Sequence, residues 1–345
     1  TVDANGEAGW EAAGGGGGAT DINGLSDAIT NSSGVTIGLG TGALANDDGS
    51  TNNNTALGYN SLNDNTSGYN NVALGMNALA QNTTANENTA VGYRSLTSNT
   101  TGTELVAVGD NAMEQNTTGS GHTAVGYQAA RNATTASNNT MIGMYAGYTM
   151  TTGYDSVAVG SWAGLYHTTG FGNVFVGRNA GRGAAAGVAS SGNVGIGQET
   201  LLNQSGGYGN VCVGRESGKA ITSGNSNTFI GNLVNNSQTT TGSNNITLGA
   251  NSTASSATVS NEVTFGNSSI ASIRCQVQTI SSLSDRRDKK DIEELPLGID
   301  FINTLKPVKF TWNMRDGAKV GQQEAGFIAQ DLDEAQIDAG AEDYL

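Results

Sequence analysis

The stretch Asn88-Thr89-Ala90-Val91-Gly92-Tyr93-Arg94-Ser95-Leu96-Thr97-Ser98-Asn99-Thr100-Thr101-Gly102 decides the fold, because it recurs. Thr89 and Val91 point one way and Ala90 the other, the period-2 alternation of a short strand. Gly92 opens a turn, a second short stretch runs through Leu96, and Asn99-Thr100-Thr101-Gly102 has residue types that suit another turn. Each unit therefore reads as two very short strands and two turns.

The same context returns along most of the chain: Thr or Val three before a glycine, a small residue two before, an aliphatic residue one before, and usually Ala or Ser three after. The glycines are Gly40, Gly58, Gly75, Gly92, Gly109, Gly126, Gly143, Gly160, Gly177, Gly197, Gly214, Gly231, Gly249 and Gly266, at intervals of 18, 17 seven times, 20, 17, 17, 18 and 17. Strands this short are not stable singly, so each coil must stack on the next at about 4.8 Å, giving a rod of roughly 60 Å. The interval of 20 carries Gly183 to Ser191 as extra loop. A hexapeptide β-helix would show its apolar signature three times per turn, whereas here it appears once per coil, so a flattened two-faced roll fits better. The expected fold class is all-β, a parallel β-solenoid or β-roll over residues 36–270, followed by a small α+β C-terminal domain.

Such a coil is thin. One of them offers Val72, Leu74, Ala78 and Leu79 as its apolar side chains. The small residues two before the glycine (Ala56, Ala73, Ala90, Ala107, Ala124, Ala158) form a face that another chain can approach closely, and the expected assembly is a parallel homotrimer.

Composition narrows the function classes. The 345 residues include 51 Gly, 2 Pro, 30 acidic and 15 basic residues, for a net charge of −15. That balance disfavours nucleic acid, whose phosphates need Lys and Arg. There is no run of 18 apolar residues, so no membrane span is expected. Cys212 and Cys275 have neither disulfide-framework nor zinc spacing and read as small buried thiols. His122 and His167 lack a second ligand at useful spacing and read as exposed or turn histidines. No metal or cofactor is expected. Sequons such as Asn82-Thr83-Thr84 recur only because the turn repeats, and no Gly-Lys-Ser/Thr makes the glycines a phosphate loop. The rod has no paired carboxylates or triad at convergent positions, which argues against an enzyme acting on an external substrate.

Aromatic residues stand out. Tyr145 and Trp162 both sit two after their coil's glycine, and Tyr154 and Phe171 both sit six before the next. Equivalent positions lie one above another in a solenoid, so each pair should form a ladder, either as packing or as a strip that binds surface glycan. All four are candidate glycan-binding residues.

The flanks differ from the repeats. Residues 1–35 hold five consecutive glycines, Gly14 to Gly18, and a short connector from Asp21 to Thr30, and read as a linker to an attachment module. Residues 271–283 are a connector. From Ser284 to Leu345, 62 residues carry 14 acidic and 8 basic side chains, against 16 and 7 in the preceding 283. Ile299, Ile302 and Leu305 are spaced for one helix face that Pro307 ends. Val308, Phe310 and Trp312 alternate as a strand, and a polar turn leads to Gly326-Phe327-Ile328-Ala329-Gln330-Asp331-Leu332. A unit this small buries little core alone and is expected to depend on partner chains.

Two resemblances follow from these residues. Units such as Asn54-Thr55-Ala56-Leu57-Gly58-Tyr59-Asn60-Ser61-Leu62 resemble the repeats of phage and virus tail-fibre proteins. They are also similar to the head repeats of trimeric autotransporter adhesins, which are shorter and form trimeric left-handed parallel β-rolls. The segment Ser284-Asp285-Arg286-Arg287-Asp288-Lys289-Lys290-Asp291-Ile292, followed by Leu305-Lys306-Pro307-Val308 and Gly326-Phe327-Ile328-Ala329-Gln330, closely resembles the endosialidase-type intramolecular chaperone domain. That domain trimerises, nucleates folding of a β-structured stalk and releases itself by cutting just before the serine. The resemblance implies Ser284 as nucleophile, Lys289 as its base, Asp285 as an orienting neighbour, and cleavage between Leu283 and Ser284. It implies a virion tail fibre or extracellular appendage that meets a host cell-surface glycan or protein receptor and joins other virion or tail proteins through its N-terminus. The alternative is a bacterial trimeric surface adhesin.

Overall fold

The computed structural model describes residues 28–30, 36–48, 52–185, 187–236, 240–273, 298–313, 321 and 323–339. The chain divides into two compact units, Thr1–Ser272 and Ile273–Leu345. Among the described residues, no helix is long and apolar enough to cross a membrane.

The first unit is a parallel β-solenoid. Its first strands are β1 (Ala28–Thr30), β2 (Ile37–Leu39), β3 (Thr55–Leu57), β4 (Val72–Leu74), β5 (Thr89–Val91), β6 (Val106–Val108), β7 (Thr123–Val125) and β8 (Thr140–Ile142). They continue as β9 (Val157–Val159), β10 (Val174–Val176), β11 (Val194–Ile196), β12 (Val211–Val213), β13 (Thr228–Ile230), β14 (Ile246–Leu248) and β15 (Val263–Phe265). All lie in one sheet in chain order, and β2 to β15 are parallel and in register, with Val91 opposite Val108 as the spacing requires. At the start of the stack, β1 runs antiparallel to β2 and covers its open edge, which blunts that edge against pairing with a foreign strand.

Each coil has one strand, not two. The stretch through Leu96 is a curved run in which Arg94 (φ 53°) and Leu96 (φ 51°) are left-handed. It still bonds coil to coil: the Leu96 amide donates to Ala112 O at 3.0 Å and the Thr100 amide to Thr117 O at 3.0 Å. The left-handed positions two after the glycine explain the asparagines there, Asn60, Asn77 and Asn111, since Asn tolerates that region better than most residues.

The alanines face inward, which corrects the expectation that they line a contact between chains. Ala56, Ala73, Ala90, Ala107 and Ala124 are almost fully buried in the coil interior, while their strand neighbours on both sides stay half-exposed or exposed. Interior width is the reason. A leucine or methionine four after the glycine (Leu62, Leu79, Leu96, Met113) fills the space across from Ala56, Ala73, Ala90 and Ala107, and Ala130 stands in that position across from Ala124. Further along, the volumes swap. Met141 and Phe175 occupy the strand position and Gly147 and Gly181 the position across, where an added Cβ would lie 2.6 Å from Met141 Sδ and 2.2 Å from Phe175 Cδ1. Close-packed interiors require such compensation.

The other face of the sheet is aliphatic and open. Its positions through β2–β15 are Val, Ile, Leu or Phe, or else Thr55, Thr89, Thr123, Thr140 and Thr228, with no charge among them. Leu57, Leu74, Ile142, Ile196 and Ile230 on this face are 38–46% exposed.

The second unit contains α1 (Ile299–Thr304), β16 (Val308–Thr311), β17 (Gln323–Gly326) and α2 (Ala329–Asp338). The first helix and first strand fall where the spacing put them, while the segment from Gly326 to Leu332, to which the sequence reading gave no element, ends β17 and opens α2. β16 and β17 pair antiparallel, Val308 opposite Gly326. Phe310 and Trp312 meet edge to face at 5.1 Å, and the Trp312 indole N–H donates to Glu324 Oε2 at 2.8 Å. None of the described residues of this unit is buried.

Candidate functional site

Two columns of buried side chains run up the solenoid interior, and both histidines belong to them. Four before the repeat glycine, Asn71, Asn88, Asn139, Asn193, Asn210 and Asn227 link coils by one rule. Asn210 Nδ2 donates to Gly224 O at 2.8 Å, and Asn210 Oδ1 accepts the Asn227 backbone N–H at 3.0 Å. His122 holds the same position and makes the same bonds: Nε2–H donates to Ala136 O at 2.6 Å while Nδ1 accepts the Asn139 N–H at 3.1 Å. A neutral imidazole thus substitutes for a carboxamide. Ten before the glycine, Asn65, Asn82, Asn99 and Asn116 form a second column, in which Asn82 Nδ2 donates to Asn65 Oδ1 at 2.9 Å. His167 sits in that column, buried against Phe175 at 4.8 Å with Nδ1 3.1 Å from Ser190 Oγ. Neither histidine is exposed, contrary to the reading from sequence. The column positions were the available signal.

Burial pushes both histidines down, His167 to about 4 and His122 in the same direction. Between the unfolded value of 6.5 and about 4, the unfolded chain takes up a proton that His167 refuses. Stability from this residue is therefore constant above pH 6.5 and falls as pH drops through that window, by about 3 kcal/mol at 1.36 kcal/mol per pH unit. In urea titrations at pH 7 and pH 4.5, the unfolding free energy of His167→Gln should fall less than that of the parent. Gln204 occupies the same column, so the variant has a native precedent. Equal falls in both chains would assign the acid response to other groups.

The aromatic candidates separate into two kinds. Tyr145 and Trp162 are half-buried and left-handed (φ 58° and 61°). The Tyr145 ring packs edge to face on Tyr127 at 5.3 Å and on Tyr148 at 5.5 Å, rather than laddering with Trp162. Tyr148 accepts from Arg131 Nη1 at 3.2 Å, and Arg131 and Arg94 both pair with the buried Glu114 carboxylate, at 2.6 and 2.7 Å. Tyr145 is therefore part of a packed network. Tyr154 and Phe171 do ladder, with centroids 5.0 Å apart and ring planes within 3°. Both are exposed, at 44% and 47%. Tyr208 lies in their column, six before Gly214, and is 62% exposed. The sequence reading omitted it, although the same offset identifies it.

Cys212 is a buried free thiol whose pKa burial raises above the usual range. Cys275 lies outside the described residues. So do Leu283, Ser284, Asp285 and Lys289. Of the motifs that accompany them, Gly326 ends β17 and Ala329-Gln330 opens α2.

Residues 284–341, about a sixth of the chain, match the family model described as the chaperone of endosialidase. No curated protein and no solved structure matches the chain.

Proposed function

We propose that this chain is a fibre of a phage tail or similar virion appendage, whose solenoid supplies reach and host-surface attachment. Its C-terminal domain would assemble three chains and then cut between Leu283 and Ser284. The observation that carries this reading is one chain holding both a parallel solenoid and, downstream, a match to the chaperone of endosialidase. The two parts need each other physically. A stack of near-identical three-residue strands pairs almost equally well after a one-coil slip, and its contacts are hard to nucleate because no coil is stable alone. A domain that gathers chains at a common end sets the register for all of them. A bacterial trimeric surface adhesin shares the solenoid and the trimer but leaves the C-terminal match without a role.

The seam between chains is the aliphatic outer face of β2–β15, not the alanine side. Fully burying a Val, Leu or Ile is worth about 1.5–3 kcal/mol, and this face offers one or two such side chains per rung over the whole stack. An uncharged apolar stripe of that length is what a chain exposes only when another covers it. Other virion or tail proteins would meet the N-terminal end, and a host glycan or protein receptor the solenoid surface.

Light scattering on the purified chain should give the mass of three chains. Ile142→Glu places a charge on the seam without touching the coil interior and should shift the mass toward one chain. A parent chain that is monomeric at micromolar concentration would overturn the assembly.

A further inference from the structure

The column six before the repeat glycine runs Ser137, Tyr154, Phe171, Ser191, Tyr208, Asn225, one residue per rung. Its backbone ladder is continuous: Phe171 O accepts the Gly192 N–H at 2.9 Å, and Ser191 O accepts the Gly209 N–H at 3.1 Å. The polar members have a structural duty. Ser191 Oγ accepts the Phe171 N–H at 3.2 Å, Asn225 Oδ1 the Tyr208 N–H at 3.0 Å, and Ser243 Oγ the Asn225 N–H at 3.0 Å. Tyr154, Phe171 and Tyr208 cannot take part as acceptors in this way, and all three leave their rings in solvent. The solenoid gains less from them here than from serine.

Tyr154 and Phe171 stack across one rung, whereas Phe171 and Tyr208 are separated by the rung of Ser191. A groove of about 480 Å³ opens between those two rings, floored by Ala189, Ser191 and glycine backbone. The neighbouring position, five before the repeat glycine, is left-handed at every described rung and elsewhere takes Asn, Asp, Glu or Ser, with Gly121 the one other glycine. Beside Phe171, Ser191 and Tyr208 it is Gly172, Gly192 and Gly209 in succession. Backbone geometry does not demand glycine there, since other residues adopt the same φ. What the three share is the absence of a side chain beside the groove.

We propose that this groove binds a single neutral pyranose ring, clamped between Phe171 and Tyr208 over the Ser191 rung. Two rungs separate the aromatic residues by roughly 9.6 Å. A flat ring in contact with both faces fills only about 7–8 Å, whereas a chair-shaped pyranose with axial hydrogens is thicker and presents C–H bonds to both aromatic faces. Ser191 Oγ already accepts from Phe171, so its own proton is free to donate to a sugar hydroxyl, and the Tyr208 hydroxyl is a second partner. No charged side chain lines the groove of a chain with net charge −15, which selects an uncharged sugar over a sialic acid or a phosphorylated one. The volume lies in the range of small-ligand sites.

This inference rests on the attachment reading only for the source of the sugar, so the test separates them. Saturation-transfer NMR on the full chain, with the methyl pyranosides of glucose, galactose, mannose and N-acetylglucosamine as probes, should show transfer to ring C–H protons for at least one. Tyr208→Ser and Phe171→Ser should weaken that sugar at least tenfold, and both put into the column a residue it already uses. Gly192→Asn should abolish binding by filling the groove, at a φ of 64° that Asn138 nearly matches at 56°. Tyr69→Ser, which alters the same column far from the groove, should change nothing. Transfer from no pyranoside, or transfer that survives Gly192→Asn, overturns the clamp, as does tighter binding of p-cresol than of any sugar. A chain that adsorbs to host cells without pyranoside binding retains the attachment reading and loses this one; pyranoside binding without adsorption does the reverse.

Discussion

Gly109→Ala should unfold the middle of the solenoid, whereas Gly206→Ala, in a turn of the same solenoid, should leave its stability nearly unchanged. Gly109 sits at φ 138°, a region closed to side chains, and a Cβ there would lie 2.4 Å from Gly126 O and 2.7 Å from Gly126 C. Both atoms are backbone and have nowhere to go. The Gly126 amide donates to Val108 O at 2.7 Å, so moving Gly126 away breaks the rung on which the next coil is built. Strain at such a φ costs about 1–3 kcal/mol and overpacking about 1–3 kcal/mol more. Because a coil touches only its neighbours, the loss falls on one interface and cuts the stack in two. At Gly206 no atom lies within 4 Å of an added Cβ and the φ is ordinary. There alanine gains up to about 1 kcal/mol from a less flexible unfolded chain. Urea unfolding of the two variants beside the parent would settle the contrast. Equal midpoints for both would mean that the coils are not spaced as tightly as a shared glycine column requires.

That column explains why the architecture was legible in the sequence. In-register parallel stacking forces every seventeenth residue into the same environment, so a position that admits only glycine repeats as glycine, from Gly40 to Gly266. Alternation around Ala90 gave the strand but not its sign, since a period of two says which residues share a face and not which face is inside. The sign lies in a relation between positions, Ala90 with Leu96 and Phe175 with Gly181, where one side chain grows as the other shrinks. The missing second strand has a similar cause: Tyr93 to Leu96 contains nothing hostile to extended structure, and only the asparagines and glycines at the equivalent positions of other coils, such as Asn77, Gly147 and Gly181, mark the left-handed turn. The histidines were misread because each was taken alone, whereas His122 in a column of asparagines declares both its burial and its hydrogen bonds. The C-terminal family match was legible in another way. Nothing about Ser284 and Lys289 distinguishes them from a charged linker until Leu305 to Val308 and Gly326 to Gln330 are read with them, and the family model matches residues 284–341, the stretch that contains all three segments.

Ser284→Ala should leave whole a chain that otherwise yields one fragment ending at Leu283 and one beginning at Ser284. On the proposed mechanism, Ser284 Oγ attacks the Leu283 carbonyl carbon as its proton passes to Lys289. The C–N bond then breaks, the leaving nitrogen takes the proton from Lys289 to become the free amine of Ser284, and Leu283 is held as an ester on Oγ. Water hydrolyses that ester, leaving a carboxylate on Leu283 and restoring the serine hydroxyl. The step that limits this sequence is the state of the base. A lysine in water near pKa 10.4 is neutral in roughly one molecule in a few thousand at pH 7, so an unassembled chain should be cut slowly. Desolvation on assembly favours the neutral amine and removes that penalty, which ties cleavage to completed trimerisation. Lys289→Ala should slow cleavage by about 10²–10⁴, the usual contribution of a general base, and raising the pH should speed it most in the unassembled chain. Both variants should still give the mass of three chains. If Ser284→Ala is cut at the same bond, the serine is not the nucleophile. The C-terminal domain would then assemble the fibre without being the agent of its own release.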